Sequence, residues 1–211
     1  MSPRPLHPAG TMSRPSIPDS THPVMIATPL RTPHLTLIPA SAAHVRAELE
    51  GAGAFGALVE AEVPASWPPG EYDEAAQRFF LECLTAAGEG GVGWYCWYAI
   101  RDGDADAPAT VVAGGGYFGP PTEAGVVELG YSVCPEWRGR GYATELADAL
   151  AAHAARQAGV TRVIAHTTAA NPGSMLVLAR SGFVSTGPGA DPGMLRFEYA
   201  ARAGGPVAPL Y

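Results

Sequence analysis

Hydrophobic positions along the chain switch between a period of two and a period of 3.6, and those switches divide it into elements. Leu35-Thr36-Leu37-Ile38 predicts a short strand that Pro39 stops. Ser41 stands as an N-cap for a helix from Ala42 to Glu50, after which Gly51, Gly53 and Gly56 break the pattern. A second helix starts near Asp73, with Ala76, Phe79, Phe80, Cys83 and Leu84 spaced to form one apolar face. Three strands follow, from Trp94 to Ile100, Thr110 to Phe118 and Val126 to Val133. The acidic stretch from Arg101 to Ala107 forms a hairpin loop, and Pro120 and Pro121 end the second strand. Short connections make an antiparallel meander the economical arrangement.

The pattern then changes. After the strand ending at Val133, Leu146, Ala149, Leu150 and Ala154 mark one face of a helix from Ala143 to Ala158, with Gly159 in the C′ position. Val160 to Thr167 returns as a strand centred on Val163 and Ile164. Strand, helix, strand with short loops is a βαβ unit, so these two strands are expected to be parallel. A further helix from Pro172 to about Ser181 stops at Gly182, and Met194 to Tyr199 supplies a last strand. The expected class is α/β (α+β): a mixed central sheet with antiparallel N-terminal strands and a parallel pair, flanked by helices. No internal repeat is visible.

Composition sets the boundaries. Nine of the 21 prolines fall within the first 39 residues, so residues 1–27 read as a Pro/Ser-rich tail without regular structure. Residues 28–205 are expected to form one domain, and 206–211 a C-terminal tail. A net charge of −7, without a cluster of Lys and Arg, argues against nucleic acid as a partner. Cys83, Cys96 and Cys134 are scattered and odd in number, which fits a reduced, cytoplasmic setting and offers no zinc spacing. No apolar run reaches the roughly 20 residues needed to span a bilayer, and no secretory signal pattern opens the chain, so no membrane is expected as a partner.

The chemistry concentrates between the strand ending at Val133 and the helix starting near Ala143. A helix N-terminus presents unpaired N–H groups and partial positive charge, a ready anion site. Gly139 and Gly141 let the backbone curl, aiming several N–H groups at one point, and Arg138 and Arg140 add charge. Such a loop suits a pyrophosphate, and it equally suits a tight turn with two solvated arginines. The P-loop spacing is absent. Gly114, Gly116 and Gly119 match G-x-G-x-x-G, but that run meets Pro120-Pro121 and opens no helix, so the dinucleotide reading fails.

The run from Val127 to Val133 and the following Pro135-Glu136-Trp137-Arg138-Gly139-Arg140-Gly141-Tyr142-Ala143-Thr144-Glu145 resemble the GNAT acetyltransferase superfamily. Its [QR]-x-x-G-x-[GA] signature is matched at Arg138, Gly141 and Ala143. Asn171-Pro172-Gly173-Ser174 with Arg180-Ser181-Gly182-Phe183 resembles the next block, in a style closest to the ribosomal-protein N-acetyltransferase-like (RimJ/RimL-type) branch. The resemblance extends over roughly residues 30–200 and is specific between 126 and 184. It implies that the parallel pair splays and that acetyl-CoA lies in the gap as co-substrate; the six histidines are dispersed with no H-E-x-x-H pair, so no metal is expected to take part. The backbone of Arg138, Gly139, Arg140, Gly141, Tyr142, Ala143 and Thr144 would hold phosphate. Val133 would pair with pantetheine and offer its N–H to the thioester carbonyl. Asn171 would contact the cofactor near the pantetheine, or act as an ordinary N-cap, or both.

Attack by a neutral amine on a thioester needs a base, since an alkylamine has a pKa of about 10.4. Glu128 is the candidate. It alternates with Val127, Leu129, Tyr131 and Val133, and burial in an interior strand would raise its pKa. The alternatives are an ion pair with an arginine or a place in open solvent. Many members of the superfamily carry a Tyr acid seven residues after the Asn; Leu178 stands there in this chain, and the resemblance offers Ser174 instead. The acceptor is expected to be an amine on a small molecule or a protein N-terminus, and a homodimer is left open. Rival readings are a bulkier acyl-CoA, an aminoglycoside or polyamine acceptor, and a non-catalytic acetyl-CoA sensor. No H-E-x-x-H or G-x-S-x-G motif competes, and Cys134 reads as packing. Trp67, Trp94, Tyr95, Trp97 and Tyr98 read mostly as core.

Overall fold

A computed structural model describes residues 27–70 and 72–200. Apart from Ala27, the tail expected over residues 1–27 lies outside the described residues, as does the stretch 206–211. The chain opens with two short antiparallel strands, β1 (Leu30–Arg31) and β2 (Leu35–Pro39); the periodicity had shown only the second. Helix α1 (Ala42–Glu50) starts at a reciprocal cap: Ser41 Oγ accepts from the His44 N–H, and His44 Nδ1 accepts from the Ser41 N–H.

The Gly51–Gly56 region, expected to break the pattern, instead forms helix α2 (Ala52–Val59). Phe55 and Val59, one turn apart, are buried, and that tertiary burial overrides the glycines' poor helix propensity. Helix α3 (Glu74–Ala87) begins as expected, with Asp73 Oδ1 accepting from the Ala76 N–H. Its fully buried positions are Gln77 and Leu84, while Phe79 and Phe80 remain half-buried.

Strands β3 (Cys96–Arg101), β4 (Thr110–Tyr117) and β5 (Val126–Val133) form the expected antiparallel meander with β2. Helix α4 (Tyr142–Ala154) and strand β6 (Arg162–Thr168) complete the βαβ unit, with β5 and β6 parallel. Helix α4 ends earlier than expected, so Gly159, at φ +80°, belongs to the connection and not to the cap. Helix α5 (Pro172–Arg180) leads to β7 (Phe183–Pro188), which the periodicity did not show, and β8 (Met194–Tyr199) closes the hairpin. The sheet order is β1-β2-β3-β4-β5-β6-β8-β7.

Alternation in β3 explains the layers. Trp97 faces α4 and meets His153 edge-on at 5.3 Å between ring centroids, whereas Tyr98 faces α1 and reaches Glu48. Leu146 and Leu150 of α4 are fully buried, each worth about 2–3 kcal/mol of burial. Trp94, Tyr95, Trp97 and Tyr98 are all buried, as core residues should be. The glycines of β4 serve strand packing: a Cβ on Gly116, at φ +148°, would stand 1.7 Å from the Tyr95 carbonyl oxygen. No described helix is long and apolar enough to cross a membrane.

Candidate active site

The parallel pair parts early. Strands β5 and β6 pair only from Val126 to Glu128 against Arg162 to Ile164. Beyond that, β5 continues to Val133 along β4, and β6 continues to Thr168 along β8. A wedge-shaped gap opens where the partners diverge. The Glu128 carbonyl accepts from the Phe118 N–H at 3.1 Å, and the Cys134 N–H donates to the Val112 carbonyl at 3.0 Å. Both therefore point toward β4. Since alternate residues point to opposite sides, the N–H groups of Tyr131 and Val133 face the gap.

The strand runs into a single turn at Pro135–Trp137 and then the loop Arg138 to Gly141. Gly139 and Gly141 adopt φ of +75° and +88°, a region that side-chain-bearing residues avoid. A Cβ on either would meet nothing within 4 Å, so the requirement comes from backbone conformation and the loop's outer side is open. Gly141 is the N-cap of α4 and brings no capping side chain. The first N–H groups of α4, at Tyr142, Ala143 and Thr144, thus have no side-chain acceptor among the described residues, which fits an external anion. Arg138 turns back, its Nε donating to the Val133 carbonyl at 3.0 Å, and ties the loop to the strand end. Arg140 lies over the Trp137 ring at 4.8 Å, with Arg101 also over that ring at 5.7 Å. The two loop arginines are therefore held, not simply solvated.

Across the gap, Asn171 Oδ1 accepts from the Ser174 N–H at 3.0 Å and caps α5. Ser174 Oγ lies 3.1 Å from the Tyr131 hydroxyl, so β5 and α5 meet through these two groups. On the other sheet face, Glu128 Oε1 lies 2.8 Å from His166 Nδ1. Glu128 is about one-third exposed, with its side chain at 34%, so the burial expected for it is not met. Its partner is a histidine and not the arginine weighed as an alternative. The hydrogen bond to Glu128 holds His166 above the usual imidazole range, against the opposing effect of partial burial.

The sequence profile of the acetyltransferase (GNAT) domain matches residues 34–184. The chain belongs to the GNAT acetyltransferase family. It is similar to the protein named Uncharacterized N-acetyltransferase YjdG of Bacillus subtilis (strain 168), at 29% identity over 123 residues, covering 58% of this chain and 70% of that one. Among solved structures it resembles the acetyltransferase of Agrobacterium tumefaciens str. C58 (24% identity, TM-score 0.55, 82% of this chain and 94% of the other). It also resembles RimL, a ribosomal L7/L12 alpha-N-protein acetyltransferase in complex with coenzyme A (16% identity, TM-score 0.55, 81% and 97%). These likenesses show the GNAT fold.

Within this GNAT chain, two groups escaped sequence reasoning. Tyr131 shares its strand face with Val127, Leu129 and Val133 and carried no role in the sequence reading, yet its hydroxyl reaches Ser174, 43 residues away. His166 sits at a strand position with no motif around it, and only the β5–β6 register brings it to Glu128. A third group lies behind the site. Glu48 of α1 is buried and accepts from Trp67 Nε1, the Tyr72 hydroxyl, Gln77 Nε2 and the Tyr98 hydroxyl at 2.7–2.8 Å. Burial pushes its carboxyl up, and the four donors pull it back only in part. This hub locks α1, α3 and β3 together under the sheet face that carries Glu128. Among the described residues, no group of His, Cys, Asp and Glu side chains could hold a metal ion.

Proposed function

We propose that this GNAT protein moves the acetyl group of acetyl-CoA to a primary amine by direct attack, with Glu128 as base. One arrangement carries the reading: the gap between β5 and β6 has Glu128 at its closed end and the uncapped N-terminus of α4 beyond its open end. Acetyl-CoA would supply an activated acyl group, with its pyrophosphate on the N–H groups from Arg138 to Thr144. The Val133 N–H, turned into the gap, would donate to the carbonyl oxygen as charge builds there. Asn171, spent through Oδ1 on its cap, retains its amide N–H groups for the same ligand. Glu128 takes the amine proton, directly or through water; the new N–C bond forms as the C–S bond breaks, and the departing sulfur needs a proton. Tyr131 and Ser174 form the hydroxyl pair placed to give it. Residues 28–205 make up the catalytic domain between two tails in this reading. The three unpaired cysteines suit a cytoplasmic setting.

Amine-dependent release of free thiol from acetyl-CoA tests the proposal, alongside CoA binding measured by calorimetry. Binding without thiol release for every amine would leave a non-catalytic module, and absence of binding would overturn the donor site as well. Gly141→Val should raise the CoA Kd at least about 10-fold, or about 1.4 kcal/mol, because valine resists the positive φ that aims the N–H groups. An unchanged Kd would move the phosphate off this loop. Tyr131→Phe keeps the ring and removes the hydroxyl, so kcat should fall about 10- to 100-fold with CoA affinity retained. Full activity in that variant would leave Tyr131 a packing residue only.

A further inference from the structure

Beside Glu128, on the same sheet face, lies an open cavity of about 450 Å³ over β6 and β8, walled by the Pro188–Ala190 turn. Its polar lining is basic: Arg162, His166 and Arg196, with no carboxylate among the described lining residues. His166 and Arg196 are directly opposite one another in the β6–β8 register. When the imidazole is protonated these two groups repel, a cost that an anion between them would offset. Among the described residues Arg196 Nε is buried and makes no hydrogen bond, and the one ion pair of Arg196 is a loose one, NH2 to Glu198 Oε2 at 3.6 Å. The Arg162 guanidinium has no ion-pair partner among the described residues. Asp191 and Glu198 lie nearby but outside the lining, and Glu128 is occupied by His166.

We propose that this recess holds an acidic group on the acceptor, so that the substrate is an amine that also carries a carboxylate or similar anion. The inference rests on acetyl transfer at Glu128. An anion seated on Arg196 and Arg162 would place the remainder of the molecule along His166, whose ring is hydrogen-bonded to the base. A guanidinium with a free Nε–H offers the fork geometry that a carboxylate accepts in two parallel bonds. A polyamine or aminoglycoside would meet these cations unfavourably.

The probes are amino acids paired with their carboxamides, together with spermidine, added to the CoA-loaded protein. NMR signals of the Arg196 Nε–H and the His166 ring report binding, and thiol release from acetyl-CoA on the same preparation reports turnover. The expected result is saturable shifts with an acid at a Kd at least about 10-fold below that of its amide. Arg196→Gln should erase that preference and leave CoA affinity unchanged, and the preferred acid should also release thiol. Equal binding of acid and amide, no shift with any acid, or preferential turnover of spermidine would overturn the inference while leaving acetyl transfer intact. Acid-selective binding without thiol release for any amine would instead remove the transfer reading, and the acceptor assignment with it.

Discussion

Glu128→Gln is expected to lower kcat/KM for any accepted amine by about 100- to 10,000-fold, the range for loss of a positioned base, while CoA affinity stays within two-fold, about 0.4 kcal/mol. The amide keeps the size of the side chain and a partner for His166, so the fold and the β5–β6 junction should hold. What disappears is the group proposed to accept the amine proton. With no base, only amine already neutral in solution reacts, so the variant's rate should climb about tenfold per pH unit toward the amine's pKa, about 10.4 for an alkylamine. The wild type should level off earlier. Steady-state kinetics across pH 6 to 10 with one amine check both. A variant with wild-type turnover and the wild-type profile would remove Glu128 from the mechanism.

The second large effect concerns stability. Glu48→Ala should cost about 3–5 kcal/mol in urea unfolding, much of the 5–15 kcal/mol that holds a typical domain together. The loss arises because four buried donors, on Trp67, Tyr72, Gln77 and Tyr98, lose their shared acceptor and cannot all turn to water. The sign of the pH dependence follows from burial, which raises Glu48 above its unfolded-state value. The folded state then keeps a proton that the unfolded chain has already released. Stability contributed at this site is therefore fullest below the ordinary carboxylate range and declines as pH rises through the raised value. Glu48→Gln cannot titrate and should flatten that decline. An alanine variant within 1 kcal/mol of wild type would show that the hub is incidental.

Much of the proposed donor side was legible in the sequence because its signals are local. Strand β5 begins and ends at the expected residues, and Gly139, Gly141, Asn171 and Pro172 mark the turn and caps through their own backbone chemistry. Helix α2 was not legible: its glycines argue against it, and only the burial of Phe55 and Val59 decides otherwise. The hub at Glu48 draws its donors from 19 to 50 residues away, too far apart for any spacing rule. The same applies to Glu128 with His166, 38 residues on, and to Tyr131 with Ser174. Glu128 stands out as a candidate by alternation, but its one-third-exposed place at the closed end of the gap comes from where β6 diverges, which register alone determines. The basic recess likewise depends on the β6–β8 pairing, which places His166 opposite Arg196.

A crystal structure grown with CoA tests the central claim most directly. The account places the pyrophosphate oxygens within about 3 Å of backbone N–H groups between Arg138 and Thr144, with the pantetheine arm running along β5 past Val133 and the sulfur within reach of Tyr131 and Ser174. CoA bound elsewhere, with the Gly139–Gly141 loop free of phosphate and the β5–β6 gap empty, would contradict it.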